Sequence, residues 1–79
     1  MSIAIQISKE LPKQYAKLIP LFSKTTKEEW REDSYCYFTD KTNWRHDYCV
    51  VFQHSVFGFV VVDVLKDSVI GGVEFVDRL

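Results

Sequence analysis

Two cysteines and two histidines are the residues with the clearest potential for chemistry, since thiol and imidazole side chains are the ligands that zinc prefers. They are Cys36, His46, Cys49 and His54. His46 and Cys49 differ by three positions in a predicted strand, so their side chains should point to opposite faces. His54 follows in the turn at the far end of that strand. This spacing does not favour zinc, and we predict neither a metal nor a cofactor.

The two cysteines could also form a redox pair. If the turn between their predicted strands is centred, Cys36 lies opposite Cys49 across a hairpin. Neither cysteine has an adjacent lysine or arginine to activate a thiolate, and two cysteines are too few for a disulfide scaffold. We interpret them as small, buried apolar residues, with the redox pair as the alternative.

Serines and acids give no clearer sign of catalysis. Ser34, Ser55 and Ser68 lack the strand–turn–helix setting of a nucleophile elbow, and neither histidine lies in a recognisable triad context. Asp63 and Glu74 are predicted on one face of neighbouring strands, where paired carboxylates could act as acid and base. Such acids are commonly solvated or paired with an arginine of a partner. We therefore expect a protein that is not an enzyme.

The distribution of charge bears on nucleic-acid and membrane binding. Lys9, Lys13 and Lys17 repeat every four residues, but an acidic run at residues 28–33 and a formal net charge of -1 argue against a nucleic-acid footprint. The longest uncharged stretch, residues 48–62, is too short and too polar at its middle to span a bilayer. The first ten residues do not resemble a signal peptide. These features predict a cytoplasmic protein without nucleic acid or membrane partners.

Local patterns predict the elements that position these residues. Isoleucines alternate with other residues over positions 3–7, which is typical of a strand. Apolar residues at helical spacing predict a helix over residues 11–22, which should end or kink near Ile19 because Pro20 follows. Thr26 and Glu29 form a capping box for a short second helix reaching residue 33.

The remainder of the chain is rich in β-branched and aromatic residues. It predicts strands over residues 34–39, 46–53, 56–65 and 68–77, and their short connections make them antiparallel neighbours. The 79 residues, 47% of them hydrophobic, suffice for one small domain. We predict a two-layer α+β fold, β-α-α-β-β-β-β, with a mainly antiparallel sheet and helices on one face.

The turns assign the strand residues to two faces. One predicted face is aliphatic and suits helix packing, whereas the other is rich in aromatic rings and also includes Val50 and Phe52. Two short helices cannot cover both faces, and an exposed apolar face of that size marks an interaction site. The alternative is that a register error or strand twist turns the rings inward.

The loop at residues 40–46 adds Trp44 and Arg45, residue types that dominate binding hot spots. Trp44 could instead fold back over the hairpin end. We predict that a partner protein, or a second copy in a homodimer, contacts Tyr35, Tyr37, Trp44, Arg45, His46, Tyr48, Phe57, Phe59, Asp63 and Glu74.

The predicted order of elements resembles the N-terminal half of the GNAT acetyltransferase fold. Residues 48–59, with Val56-Phe57-Gly58-Phe59, are similar to the second and third strands of that family, and residues 68–76 would match the fourth. The glycine-rich R/Q-x-x-G-x-G/A loop that binds acetyl-CoA in the family is missing, so the resemblance implies no acetyltransferase activity. It does imply that a later helix, which covers the second sheet face in the full fold, is absent.

We therefore predict a non-catalytic interaction module, similar to an inhibitor or adaptor. The alternative is a degenerate GNAT-like protein that binds acyl-CoA or another ligand.

Overall fold

A computed structural model provides the structure and describes residues 2–79, except for the side chain of Asn43. It is a five-stranded antiparallel sheet with the helices of residues 3–22 packed on one face, which confirms the predicted α+β class. The helices are α1 (Ile3–Ser8), α2 (Ile19–Phe22) and 3₁₀ helices at Lys13–Leu18, Lys41–Asn43 and Val76–Arg78. The strands are β1 (Glu29–Arg31), β2 (Tyr35–Tyr37), β3 (His46–His54), β4 (Gly58–Leu65) and β5 (Val69–Phe75).

The prediction of a strand over residues 3–7 was wrong, because this segment forms α1. Ser2 caps the helix by accepting a hydrogen bond from the Ile5 N–H at 3.2 Å. Ala4 and Ile7, three positions apart, point into the core, as expected for one face of a helix. The apolar residues of this segment fit the two-residue period of a strand as well as the 3.6-residue period of a helix. The cap at Ser2 favours the helix.

Of the segment predicted as a helix over residues 11–22, residues 13–22 are helical, and the helix changes type where the kink was expected. A 3₁₀ helix ends at Leu18, and α2 begins at Ile19 with Pro20 in its first turn, where no N–H is needed. Leu18 and Phe22 are 3% and 1% exposed and pack on the sheet.

The short helix predicted over residues 26–33 is absent, and β1 occupies the middle of this range. The Thr26 N–H donates to the Phe38 carbonyl at 3.4 Å, which ties this segment to the strand side of the molecule. Trp30 lies opposite Cys36 and stacks on Phe75 with ring centroids 5.3 Å apart. This long-range contact outweighs the local capping pattern.

The four later strands lie close to their predicted positions, but their order differs. The order in the sheet is β1-β2-β5-β4-β3, so β2 pairs with β5 and not with β3. Cys36 therefore lies opposite Val73, and Cys49 lies opposite Asp63 on the other face of the sheet. The expected hairpin between the two cysteines was wrong.

The length of the β3–β4 turn sets the faces of β3. Three residues separate His54 from its partner Gly58, whose φ of 74° favours glycine. The predicted turn had two residues, and a difference of one moves the side chains of β3 from Tyr48 onward to the other face. Val50 and Phe52 consequently lie on the helix-covered face, contrary to the prediction.

The predicted β4–β5 turn was also one residue too short, but an irregularity in β5 restores the predicted faces beyond it. The turn has three residues instead of two, but Gly71 is an extra residue in β5 that shifts the register again. Val62 and Val73 therefore share the helix-covered face, as predicted. The buried residues of one cluster join that face to the helices: Ala4, Ile7, Leu18, Phe22, Cys36, Phe38, Val50, Phe52, Val60, Val62, Val64, Ile70, Val73 and Phe75.

Candidate functional site

The sheet face opposite the helices, hereafter the open face, is organised in rows that run across the strands. The strand register places side chains next to one another in two central rows. One row is Val51, Val61, Glu74, Tyr35 and Arg31. The other is Cys49, Asp63, Gly72, Tyr37 and Glu29.

Two adjacent glycines in β5 make room for aromatic rings on this face. A Cβ at Gly72 would lie 2.7 Å from the ring of Tyr35 and 2.5 Å from the Cys36 carbonyl oxygen. A Cβ at Gly71 would lie 2.7 Å from the Trp44 indole. Both approaches are closer than carbon atoms tolerate, so the rings can lie against the backbone only because these positions lack side chains.

The space at Gly72 lets Tyr35 reach across to the neighbouring row. Its hydroxyl donates to Asp63 Oδ2 at 2.5 Å, while Asp63 Oδ1 lies 3.2 Å from His46 Nε2. Burial, followed by the hydrogen bond to Asp63, raises the pKa of Tyr35. The phenol therefore stays protonated as a donor, and both carboxylate oxygens of Asp63 are engaged.

Further rings and cations complete this cluster. Tyr37 lies 4.6 Å from the Tyr35 ring and 5.7 Å from the Trp44 ring, measured between centroids. The Lys41 ammonium lies 4.7 Å from the Tyr37 ring centroid and 3.4 Å from a Glu29 carboxylate oxygen. We call this region the self-packed half of the open face; its members are Tyr35, Tyr37, Trp44, His46, Asp63, Gly71 and Gly72.

The rest of the open face, on β3 and β4, is different. Val51 is 57% exposed and Phe59 is 49% exposed, whereas Tyr35 in the self-packed half is 6% exposed. Cys49 is also exposed, and Val61 is partly buried between them. We call Cys49, Val51, Phe59 and Val61 the exposed half. It contains the apolar surface that remains available to a partner.

The structure brings most of the predicted contact residues to the open face. Tyr35, Tyr37, Trp44, His46, Phe59, Asp63 and Glu74 lie on it. The ring of Trp44 folds back over Gly71 of β5 and against Tyr37, and not over the end of a hairpin between β2 and β3, because these two strands do not pair.

Three predicted contact residues lie elsewhere. Tyr48 pairs with Val64 and thus belongs to the helix-covered face, because of the turn length described above. Phe57 lies in the β3–β4 turn and packs edge-on against Phe75, with centroids 5.1 Å apart. Arg45 forms an exposed ion pair with Asp67 at 3.5 Å, outside both halves of the open face.

A second polar cluster, which sequence reasoning missed, connects α1 to the β3–β4 turn. His54 is 4% exposed; its Nδ1 accepts from the Val56 N–H at 3.1 Å, so Nε2 carries the proton and donates to the Gln6 carbonyl at 3.0 Å. Ser55 donates from its N–H and hydroxyl to Glu10, and these bonds lower the pKa of Glu10. No local signal in the sequence relates residues 45 positions apart.

This second cluster does not have the geometry of a nucleophile triad. The Ser55 hydroxyl donates to the Glu10 carboxylate and not to the His54 imidazole. In a Ser-His-Asp triad, the serine nucleophile donates its hydroxyl proton to the imidazole. The arrangement therefore acts as a structural tie between α1 and the turn.

The two cysteines and two histidines that were considered as zinc ligands do not converge. His46 and Cys49 lie on the same face, contrary to expectation, because Asp47 is an extra residue in β3. Cys36 lies on the opposite face, where burial raises the pKa of its thiol to about 12. Within residues 2–79, no group of three or more potential ligands could hold a metal ion. No helix in that range is long and apolar enough to cross a membrane.

No protein-family model, curated protein or solved structure matches the chain. The resemblance to the GNAT fold stays a prediction, and the residues expected to form its first strand form α1.

Proposed function

We propose that the protein is a non-catalytic interaction module that binds another protein through the exposed half of the open face. The supporting observation is the pair Val51 and Phe59, about half exposed on a sheet face that lies away from the helices. Burying apolar surface contributes about 25 cal/mol per Å². A partly exposed phenylalanine among valines is a typical anchor for a complementary pocket.

The charge next to the exposed half indicates the chemistry of the partner. Glu74 lies beside Val61 in its row and makes no ion pair with any residue in the range 2–79 that the structure describes. Asp63, by contrast, already accepts from Tyr35 and lies beside His46. A partner with a lysine or arginine at the rim of an apolar patch would satisfy Glu74.

The same carboxylate argues against a second copy bound face to face. A twofold axis that passes through the open face near β4 and β5 would bring the Glu74 and Asp63 carboxylates of two copies toward each other. Like charges in a desolvated interface disfavour association. We therefore propose a different protein as the occupant of this face.

The state of the polar groups favours binding over catalysis. The raised pKa of Tyr35 keeps its phenol protonated, and Asp63 is held between Tyr35 and His46. Groups engaged with one another provide a rigid platform and not a reactive pair. A module of this kind would act as an inhibitor or adaptor. Its two unpaired thiols suit a reducing compartment such as the cytoplasm.

The test compares three forms of the protein as affinity baits. Phe59→Asp places a charge in the exposed half, whereas Val56→Asp places the same charge in the β3–β4 turn, at a side chain that is 74% exposed. We expect partners retained by the wild type and by Val56→Asp to be lost with Phe59→Asp. Equal retention by all three baits would contradict the proposal.

The charge contribution is tested with the purified partner by titration calorimetry. Glu74→Lys should weaken binding by about tenfold or more, since it opposes the basic side chain of the partner. The matched control is Glu32→Lys in the exposed turn between β1 and β2. Titration with acetyl-CoA should give no heat; binding at micromolar ligand would support the GNAT-like alternative instead.

A further inference from the structure

β3 is a long strand at one edge of the sheet. It pairs with β4, and no strand within residues 2–79 lies on its other side. β1, at the opposite edge, contains three residues, whereas β3 contains nine. A free edge presents N–H and C=O groups that can pair with another strand. From this edge we propose that two copies of the chain pair antiparallel through β3 and join their sheets.

The free edge of β3 lacks most of the features that prevent edge strands from pairing with other chains. Lysine, proline and irregular backbone usually protect such strands. β3 contains neither lysine nor proline, and its one irregularity is the extra residue Asp47 near the start. From Tyr48 to His54 the pairing with β4 is regular. These seven residues span roughly 23 Å of regular edge.

Symmetry restricts how two such strands can pair. A twofold axis perpendicular to the sheet keeps the helices of both copies on one side, and each residue then faces a residue of the same sheet face. Val51 is the centre of the regular stretch and is 57% exposed. Placing the axis at Val51 pairs all seven residues of one copy with those of the other.

The resulting side-chain pairs are compatible with one another. Tyr48 faces His54 of the second copy, Cys49 faces Gln53, Val50 faces Phe52, and Val51 faces itself. No like charges meet, whereas an axis at Asp47 would place two carboxylates opposite each other. This self-complementarity identifies a second copy as the occupant of the edge.

The edge adjoins the surface in the proposed function and shares Cys49 and Val51 with it, whereas Phe59 belongs to that surface alone. Pairing through β3 leaves Phe59, one strand further in, uncovered. It also joins the exposed halves of two copies into one surface across the twofold axis. A dimer would thus present two sites for partners, which increases avidity.

The oligomeric state tests the proposal directly. Light scattering over a concentration series should show a transition to twice the 9.3 kDa mass of one chain. Val51→Lys places two like charges at the axis and should weaken dimerisation about tenfold or more. Phe59→Lys, on the same face but one strand further in, should leave it intact. A wild type that stays monomeric to near-millimolar concentration, or a dimer unaffected by Val51→Lys, would overturn the proposal.

Oxidative cross-linking tests the register. Gln53→Cys should form a disulfide-linked dimer with native Cys49, and it should fail to do so when combined with Cys49→Ser. Val51→Cys should cross-link in the Cys49→Ser background, since this position faces itself. Buried Cys36 does not interfere. Cross-linking of Gln53→Cys that persists without Cys49 would exclude the register. Because partner binding is tested at Phe59, either proposal can fail alone.

Discussion

Both halves of the open face contain aromatic side chains, but these are buried or partly buried in the self-packed half and exposed in the exposed half. In the self-packed half, Tyr35 is 6% exposed because its ring lies against Gly72 and its hydroxyl binds Asp63. In the exposed half, no glycine lies beneath Phe59, and its ring is 49% exposed. Residue type alone therefore does not distinguish a ring that is buried within the chain from a ring that is available to a partner. The presence of a glycine in the backbone beneath the ring distinguishes them.

This difference has a consequence for stability and binding. The self-packed half should contribute to folding, because its contacts are made within the chain. The exposed half should contribute little to folding and much to association. Substitutions in the two halves should therefore separate these effects.

The largest effect is expected at the glycine beneath Tyr35. Gly72→Ala would place a Cβ 2.5 Å from the Cys36 carbonyl oxygen, a backbone atom between two paired strands that cannot easily move. We expect a loss of about 2 to 3 kcal/mol in the free energy of unfolding, measured with urea. Gly71→Ala is the matched control; its Cβ would meet the side chains of Trp44 and Leu65, which can shift, so it should cost less. The reverse ranking would show that the side chains of Trp44 and Leu65 yield less than the backbone carbonyl of Cys36.

The next effect isolates the hydrogen bond inside the self-packed half. Tyr35→Phe keeps the ring but removes the donor to Asp63 Oδ2, and we expect a loss of about 1.5 kcal/mol at pH 7. Tyr37→Phe is the control, because the Tyr37 hydroxyl makes no hydrogen bond with the described part of residues 2–79, which leaves out the Asn43 side chain, and the change should be near zero. Equal losses in the two variants would mean that packing and not the bond stabilises this half.

Some elements of the fold could be predicted from the sequence, and others could not. The fold class and the four later strands follow from local signals, namely dense β-branched residues broken by turn residues. α1 was missed because its isoleucines fit a strand as well as a helix, although Ser2 was present as a cap. β1 was missed because the stacking of Trp30 on Phe75 is a long-range contact.

The face assignment failed for a more specific reason. Each turn length determines which face a strand presents, so one residue of error at the β3–β4 turn moved Tyr48 to the wrong side. The adjacent Gly71 and Gly72 were a readable signal of a bulge and of close approach by other groups. That signal could have indicated that rings from β2 and the following loop cover β5. It could not have identified which rings.

The alkaline pH dependence of stability is a smaller effect that again concerns Tyr35. Its pKa is raised in the folded protein, so the unfolded chain releases this proton first. The contribution is therefore complete below the ordinary value of 10.0 and declines as the pH rises above it. We expect the stability difference between wild type and Tyr35→Phe to shrink by about 1 kcal/mol from pH 10 to 11, after allowance for solvent screening. A constant difference across this range would contradict the buried, protonated phenol.

The smallest effect is expected in the exposed half and is matched to a buried position of the same residue type. Val51→Thr keeps the shape and the branching of a side chain that is 57% exposed, so the free energy of unfolding should change by less than about 0.5 kcal/mol. Val62→Thr, at 0% exposure beneath the helices, buries a hydroxyl and should cost about 1 to 3 kcal/mol. If Val51→Thr costs as much as Val62→Thr in urea unfolding of the monomer, β3 is covered by the chain itself. In that case the exposed half is not free to bind a partner, whereas a near-zero change leaves Val51 available for association.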